Sequence, residues 1–472
     1  MNRTNELVKN TFIITIGKFA TQILSLLLLP LYTGRLSADE YGNYDFIIAV
    51  ATFVMPLITL LLEESLFRFL IDAKNKQEET KIISNVVAFC LSSSIIICSI
   101  TTILCVVLKY KLGIYISIFV FSSVLMALGN SIVRGKGKIS LFSLANFLLS
   151  LITILLNIIL ILVFNLGIEA LIYSSVISNI FVSIFLFYKI KIFEYLKVDY
   201  FDKGLIKSML KYSLPLVPNT ICWAVINLSD RLIIMFNLGA SLNGIYSIAN
   251  KFPNLINTFY SFFNIAWRES SAKILKDKDK EKNYTSIYLN TKKVLMSITV
   301  VLIVLVPLAY NILIDKSYHN GLIFVPILAF SVFYSSMSAF YGGIFTAFKD
   351  TKILGTTSFA AAFMNLIINI LFINKIGLYA AAISTLISFF IIYLYRKSKV
   401  KEYIVLKENK KNYMIQYFLF FSSVICFIIQ NLFIKCIIGV LIMIAVLIYD
   451  MDIINSIINT MKLKLKKEKK FV

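Results

Sequence analysis

Long apolar runs alternate with short polar segments along this chain. Runs of the length a bilayer-spanning helix needs fall at about 10–33, 44–67, 82–108, 114–133, 141–164, 168–190, 212–237, 245–267, 293–314, 321–345, 354–374, 377–395, 413–434 and 436–458. In hydrocarbon every backbone N–H and C=O must be satisfied within its own segment, so each run is expected to be a helix. The first run lacks a cleavage-site region and is followed by a loop and a second run. It is expected to be a retained helix, with no separate domain at either end.

Polar residues inside these runs fall on helical faces. In the first, Thr11, Thr15, Lys18, Gln22 and Ser25 are spaced to share one side, and in the second so are Thr52, Pro56, Thr59 and Glu63. The seventh carries Asn219, Trp223, Asn227, Asp230 and Arg231. The eighth carries Ser247, Asn250, Asn254, Asn257, Ser261 and Asn264, ending at Arg268. A single Ser or Asn in a span commonly bonds to a neighbouring helix. Four stripes on spans 1, 2, 7 and 8 point instead to a polar cavity. Five prolines (Pro30, Pro56, Pro215, Pro218 and Pro253) lie in the same four spans, where they permit bends.

The chain also repeats itself. Leu36-Ser37-Ala38-Asp39-Glu40-Tyr41-Gly42-Asn43-Tyr44 matches Leu238-Gly239-Ala240-Ser241-Leu242-Asn243-Gly244-Ile245-Tyr246 in its Leu, Ala, Gly and Tyr positions. Gly167, Ala170, Ser174, Ile177 and Ser178 match Gly377, Ala380, Ser384, Ile387 and Ser388. Six spans per half make this a parallel repeat about an axis along the membrane normal, with a cavity expected between the halves. The expected fold is an all-α polytopic membrane protein of about 14 transmembrane helices: two six-helix lobes related by the repeat, plus two C-terminal helices. Residues 1–190 form the first lobe and 191–211 an amphipathic cytoplasmic linker. Residues 212–400 form the second lobe, and 401–472 the last two spans with a basic tail.

Composition agrees with a membrane location: 59% of residues are hydrophobic, 15% are charged and mean hydropathy is +0.83. The formal net charge of +22 would suggest nucleic acid in a soluble chain, but no nucleic-acid-binding motif accompanies it. Of the 47 Lys and Arg, about 36 lie in alternate segments starting with the N-terminus, against six (Arg35, Lys109, Lys111, Lys316, Lys375 and Lys435) on the opposite side. By the positive-inside rule both termini are cytoplasmic. Cys90, Cys98, Cys105, Cys222, Cys426 and Cys436 contain no close CxxC pair and read as packing residues. No catalytic constellation, metal site or cofactor motif is present.

The charges inside the spans carry the candidate chemistry. Lys18 lies about eight residues, roughly 12 Å, from the inner end of span 1. Arg231 and Lys251 lie in the outer third of spans 7 and 8. Snorkelling explains Glu64, Arg68 and Arg268 near span ends. Cations in a cavity want an anion, and a diphosphate suits Arg and Lys. The candidate cavity residues are Lys18, Gln22, Asn227, Arg231, Asn250, Lys251, Asn254 and Asn257, with Glu63 and Asp230 offered for ion coupling. Asp230 is expected to pair with Lys251, leaving Arg231 to face the cavity.

Leu29-Pro30-Leu31-Tyr32 through Tyr41-Gly42, and Ser229-Asp230-Arg231 followed by Gly244-Ile245-Tyr246, resemble the polysaccharide-unit flippases. These are the O-antigen and capsule repeat-unit translocases of the multidrug/oligosaccharidyl-lipid/polysaccharide exporter superfamily. The resemblance covers spans 1–12 and is compatible with fourteen. It implies two six-helix lobes, a cationic central cavity and alternating access. The implied cargo is an undecaprenyl-diphosphate-linked oligosaccharide moved from the inner to the outer leaflet of a bacterial cytoplasmic membrane. The implied partners are that lipid-linked substrate, membrane lipids, and a polysaccharide polymerase and glycosyltransferases. The alternatives are a drug/cation antiporter or a lipid II flippase of the same superfamily. A membrane polysaccharide polymerase or glycosyltransferase is the alternative of another class, disfavoured by outside loops of about ten residues or fewer.

Overall fold

A computed structural model of the chain describes residues 25–109, 111–275, 277–350, 352–407 and 410–455. Among these residues the regular structure is helical throughout. In chain order the helices are α1 (Leu29–Arg35), α2 (Ala38–Thr59), α3 (Leu62–Asp72), α4 (Lys76–Val107), α5 (Lys111–Gly135), α6 (Ile139–Leu162), α7 (Ile168–Ile190), α8 (Lys203–Ser213), α9 (Val217–Leu238) and α10 (Ala240–Lys251). They continue as α11 (Pro253–Ile274), α12 (Lys280–Leu313), α13 (Val325–Ala347), α14 (Lys352–Ile376), α15 (Leu378–Val400), α16 (Lys410–Ile428) and α17 (Leu432–Tyr449). Eleven helical segments among the described residues are long and apolar enough to cross a membrane, and Asn412–Ile428 is a shorter apolar helix. The protein is thus an all-helical polytopic membrane protein.

Local sequence sets many of the helix starts. Ser37 and Glu40 form a capping box at α2, each side chain accepting from the other's backbone N–H. Asn75 caps α4, Asp202 caps α8 and Asn431 caps α17. Two expected spans are broken, and they are the repeat-related second and eighth. The run at 44–67 divides into α2 and α3 at Leu60 and Leu61, both left-handed with φ of 51° and 55°. Left-handed backbone is costly for a branched side chain, so this bend is imposed by packing. The run at 245–267 divides into α10 and α11 at Phe252, where Pro253 opens the new helix.

The chain falls into two compact units, residues 1–247 with 362–381, and residues 248–361 with 382–472. In the first, α3, α4, α5 and α7 share a core built on Leu62, Leu66, Ile83, Cys90, Val124 and Leu186. α8 is fastened to α3 by the Ser65 hydroxyl, which donates to the Met209 carbonyl at 2.7 Å. In the second, the indole of Trp267 on α11 stacks on Phe340 of α13 at 4.3 Å and donates to the Phe340 carbonyl. A Cβ at Gly343 would lie 2.4 Å from the Trp267 nitrogen, so only glycine admits the ring there.

The second repeat match has a structural counterpart. Gly167 and Gly377 each precede a helix, α7 and α15. The matched Ala170, Ser174 and Ser178 are buried, as are Ala380, Ser384 and Ser388. Two cations that sequence counting placed in cytoplasmic segments are buried. Lys292 is buried on α12 with its ammonium over the Tyr413 ring. Arg396 is buried on α15 and donates to the Thr357 hydroxyl, the Leu354 and Ser338 carbonyls and the Ser358 hydroxyl. The charge bias does not depend on these two.

Candidate functional site

The two repeated turns meet. α2 begins at the first and α10 at the second, and the helices cross at their glycines. A Cβ built on Gly42 would lie 1.8 Å from the Ala240 carbonyl oxygen and 2.7 Å from the Gly244 nitrogen. A Cβ on Gly244 would lie 2.0 Å from the Ala38 carbonyl oxygen and 3.0 Å from the Gly42 nitrogen. Each glycine thus admits the opposite helix's backbone, in a reciprocal arrangement that follows the sequence match. Small residues are what let membrane helices approach this closely. The Asn243 amide donates to the Gly42 carbonyl at 2.7 Å and seals the crossing.

An ion pair stands beside it. Arg231 of α9 donates through Nε to Asp45 Oδ2 of α2 at 3.0 Å, with side-chain exposures of 14% and 15%. A charge at such burial costs several kcal/mol unless partnered, and the pair meets that requirement. Phe46 and Phe236 pack edge to face between the same two helices. Asp230, also buried, accepts from the Tyr246 hydroxyl at 3.3 Å and from the Asn369 amide of α14 at 2.9 Å. One turn of α14 earlier, Asn365 accepts from the Ser229 hydroxyl at 2.8 Å. Residues of α2, α9, α10 and α14 are thereby joined by directional bonds at one end of this unit.

This corrects the expectation for Arg231. Arg231 is not left to face a cavity, because Asp45 holds it. Asp230 accepts hydrogen bonds from Tyr246 and Asn369. Asp45 was missed in the sequence, although an acid one residue past Tyr44 in an apolar run is itself a signal. Asn365 and Asn369 were missed too. Their spacing of four puts them on one face of α14, which is the signal that was there to read.

The other candidates are dispersed. Lys18 and Gln22 lie outside the described residues. Asn227 is one turn before Arg231 on α9. Asn250 and Lys251 are half-buried in the last turn of α10. On α11, Asn254 and Asn257 are exposed, whereas Ile256, Tyr260 and Trp267 on another face are buried. Ser247, a member of the same expected stripe, is buried. Glu63 lies in the first turn of α3, immediately after the bend. It is 7% exposed, and its Oε2 has no hydrogen-bond partner among the described residues.

Two solved structures share this fold. An inward-facing multidrug resistance MATE transporter of the MOP superfamily superposes with a TM-score of 0.67 at 15% identity, covering 82% of this chain and 98% of its own. The lipid II flippase MurJ in an inward closed conformation gives 0.71 at 19% identity, covering 94% of this chain and 100% of its own. No curated protein matches the sequence significantly. The polysaccharide biosynthesis protein family matches residues 7–267, more than half of the chain. With those residues comprising the helices that carry both repeated turns, the chain belongs to the polysaccharide biosynthesis protein family.

Proposed function

We propose that this protein is a flippase that carries an undecaprenyl-diphosphate-linked oligosaccharide from the inner to the outer leaflet of the bacterial cytoplasmic membrane by alternating access. The observation that carries the reading is the closure at the repeated turns. Two helices from matching positions of the two repeats, α2 and α10, meet at a glycine crossing, and α9 adds the Arg231–Asp45 ion pair to α2 beside it, a contact that can part and reform. The lysine distribution supports an outer location for this closure. It then acts as the outer gate, shut while the substrate enters from the cytoplasmic side.

On this reading Lys18, Gln22, Asn227, Asn250, Lys251, Asn254 and Asn257 line the path. Arg231 has two tasks in turn. It holds Asp45 while the gate is shut, and its guanidinium becomes available to the diphosphate when the gate opens. Glu63 and Asp230 are the carboxylates proposed for ion coupling. MATE transporters share the fold, so the fold does not choose the cargo. Lys18, Lys251 and a guanidinium released from Asp45 favour an anionic lipid over a lipophilic cation.

The test is flipping of a fluorescent undecaprenyl-diphosphate oligosaccharide in proteoliposomes. The reading requires protein-dependent exposure of the sugar on the far leaflet, abolished in Arg231→Ala. Drug efflux without lipid movement would replace this reading with the antiporter.

A further inference from the structure

The segment between α7 and α8 is fastened to the protein along its backbone, yet its largest side chains have no protein cover. Ser84 of α4 bonds to the Tyr195 carbonyl and accepts from the Lys197 N–H. Asn85 donates to the Tyr200 carbonyl and accepts from the Asp202 N–H, both at 2.8 Å. Lys136 pairs with Glu79 and donates to the Tyr195 hydroxyl, while Ile192 is buried. A segment held at this many points is rigid. Even so, Phe193 is 86% exposed and Tyr188 78%, and Phe201 is exposed too. Aromatic rings presented this way are what membrane-interface belts display.

Beside Phe193 lies a groove of about 590 Å³. Leu91 of α4, Leu125 and Leu128 of α5, and Ile184 and Phe187 of α7 line it, and Lys191 and Glu194 stand at its rim. It opens among the outward faces of α4 and α7, where Ile95, Ile96, Phe181 and Ile184 are exposed, so its apolar lining continues into the lipid-facing surface. The chain segment that carries its rim is rich in lysine, although the Lys189 and Lys197 ammonium groups rest over the Phe185 and Tyr200 rings. Lys189 and Lys197 flank Lys191 in sequence. Over residues 189–211 six lysines (189, 191, 197, 203, 207 and 211) face three acids (194, 199 and 202). Glu194 is occupied by Lys76 at 2.5 Å and Lys191 at 3.7 Å, and the Lys76 hydrogen bond holds its carboxyl below the usual range.

We propose that this groove is a binding site for one anionic phospholipid of the inner leaflet, with an acyl chain under Phe193 and the phosphate at Lys189, Lys191 and Lys197. The placement in the inner leaflet rests on the orientation adopted above; the binding itself does not require flipping. An apolar channel continuous with the lipid-facing surface suits an acyl chain. A cationic rim selects the anionic headgroup, each lysine at a membrane surface contributing about 1 kcal/mol, or about five-fold. The site would tie the strap, and α3 through α8, to the membrane surface.

Native mass spectrometry of the purified full chain with phosphatidylglycerol and phosphatidylcholine of identical acyl chains tests this. Wild type should retain one phosphatidylglycerol under activation that strips phosphatidylcholine, with a preference of about five-fold or more. Lys189→Gln with Lys191→Gln and Lys197→Gln should reduce phosphatidylglycerol to the phosphatidylcholine level at unchanged thermal stability. Leu91→Trp, which fills the groove, should lose both lipids. Equal retention of the two lipids by wild type, undiminished retention in the lysine variant, or a polypeptide bound instead would overturn the proposal. Selective retention in a protein that flips nothing would leave this site standing and remove the flippase reading.

Discussion

The glycine crossing of α2 with α10 and the aromatic packing of α11 with α13 solve the same problem in opposite ways. Both bring helices together at a glycine. At Gly343 the glycine admits an indole, and Trp267, Phe263 and Phe340 form a parallel stack closed edge-on by Tyr284. Burying so much ring surface fixes the two helices as one body. At Gly42 and Gly244 the glycines admit backbone, and the side chains around them include the Asp45–Arg231 ion pair and the Asn243 hydrogen bond. Tyr41, Phe46, Ile245 and Tyr246 are buried around them, so apolar packing accompanies the polar bonds, but no ring enters the crossing itself. One junction is built on stacked rings, and the other on backbone contact with an ion pair beside it.

Damage to the two junctions should have different consequences. Trp267→Ala should cost about 3–5 kcal/mol and remove the protein from the membrane, since a large cavity opens beneath Phe340. Immunoblotting of membrane fractions reads this directly, and normal abundance would show that the stack is dispensable. Arg231→Ala should leave abundance near normal while transport is lost. It strands Asp45 at a buried position, an effect of about 3–5 kcal/mol on the closed end. Exchanging the charges, Asp45→Arg with Arg231→Asp, should recover part of the activity if the pair itself matters. Recovery of nothing would assign Arg231 to the substrate alone.

Gly42→Ala should have a smaller effect, about 1–3 kcal/mol against the closed arrangement, because the added methyl meets the Ala240 carbonyl. Raised accessibility of a cysteine at Ala38 to a membrane-impermeant thiol reagent would report it. The smallest effect is expected on α11. In a background free of native cysteines, Asn254→Cys and Asn257→Cys should react with a hydrophilic thiol reagent and Ile256→Cys should not. Similar labelling at all three would dissolve the distinction between the polar and packed faces of that helix.

Much of the architecture could be read from period and spacing. A run of about 20 apolar residues has one stable form in lipid, so the spans at 82–108, 114–133, 141–164 and 168–190 appear as α4 to α7. The repeated turns were legible because the tight approach at each leaves a glycine in the sequence. The bend at Leu60 and Leu61 was not legible, since two leucines carry no helix-breaking signal and the strain is met by surrounding packing. The burial of Arg396 was hidden for a similar reason. Lying near the end of its run, it reads as a loop cation until Thr357 and Ser358 are brought to it.

The division at the candidate site follows the same physics. The sequence alone determined that Asp230 and Arg231 sit in an apolar helix and that Gly42 and Gly244 occupy matching places, because identity and register are local properties. Only the tertiary structure decided that the two glycines touch each other and that Arg231 answers to Asp45. It also decided that Asp230 answers to Tyr246 and Asn369. A charge in low dielectric must find a partner, but which partner depends on which helices lie within reach, and that is a matter of packing.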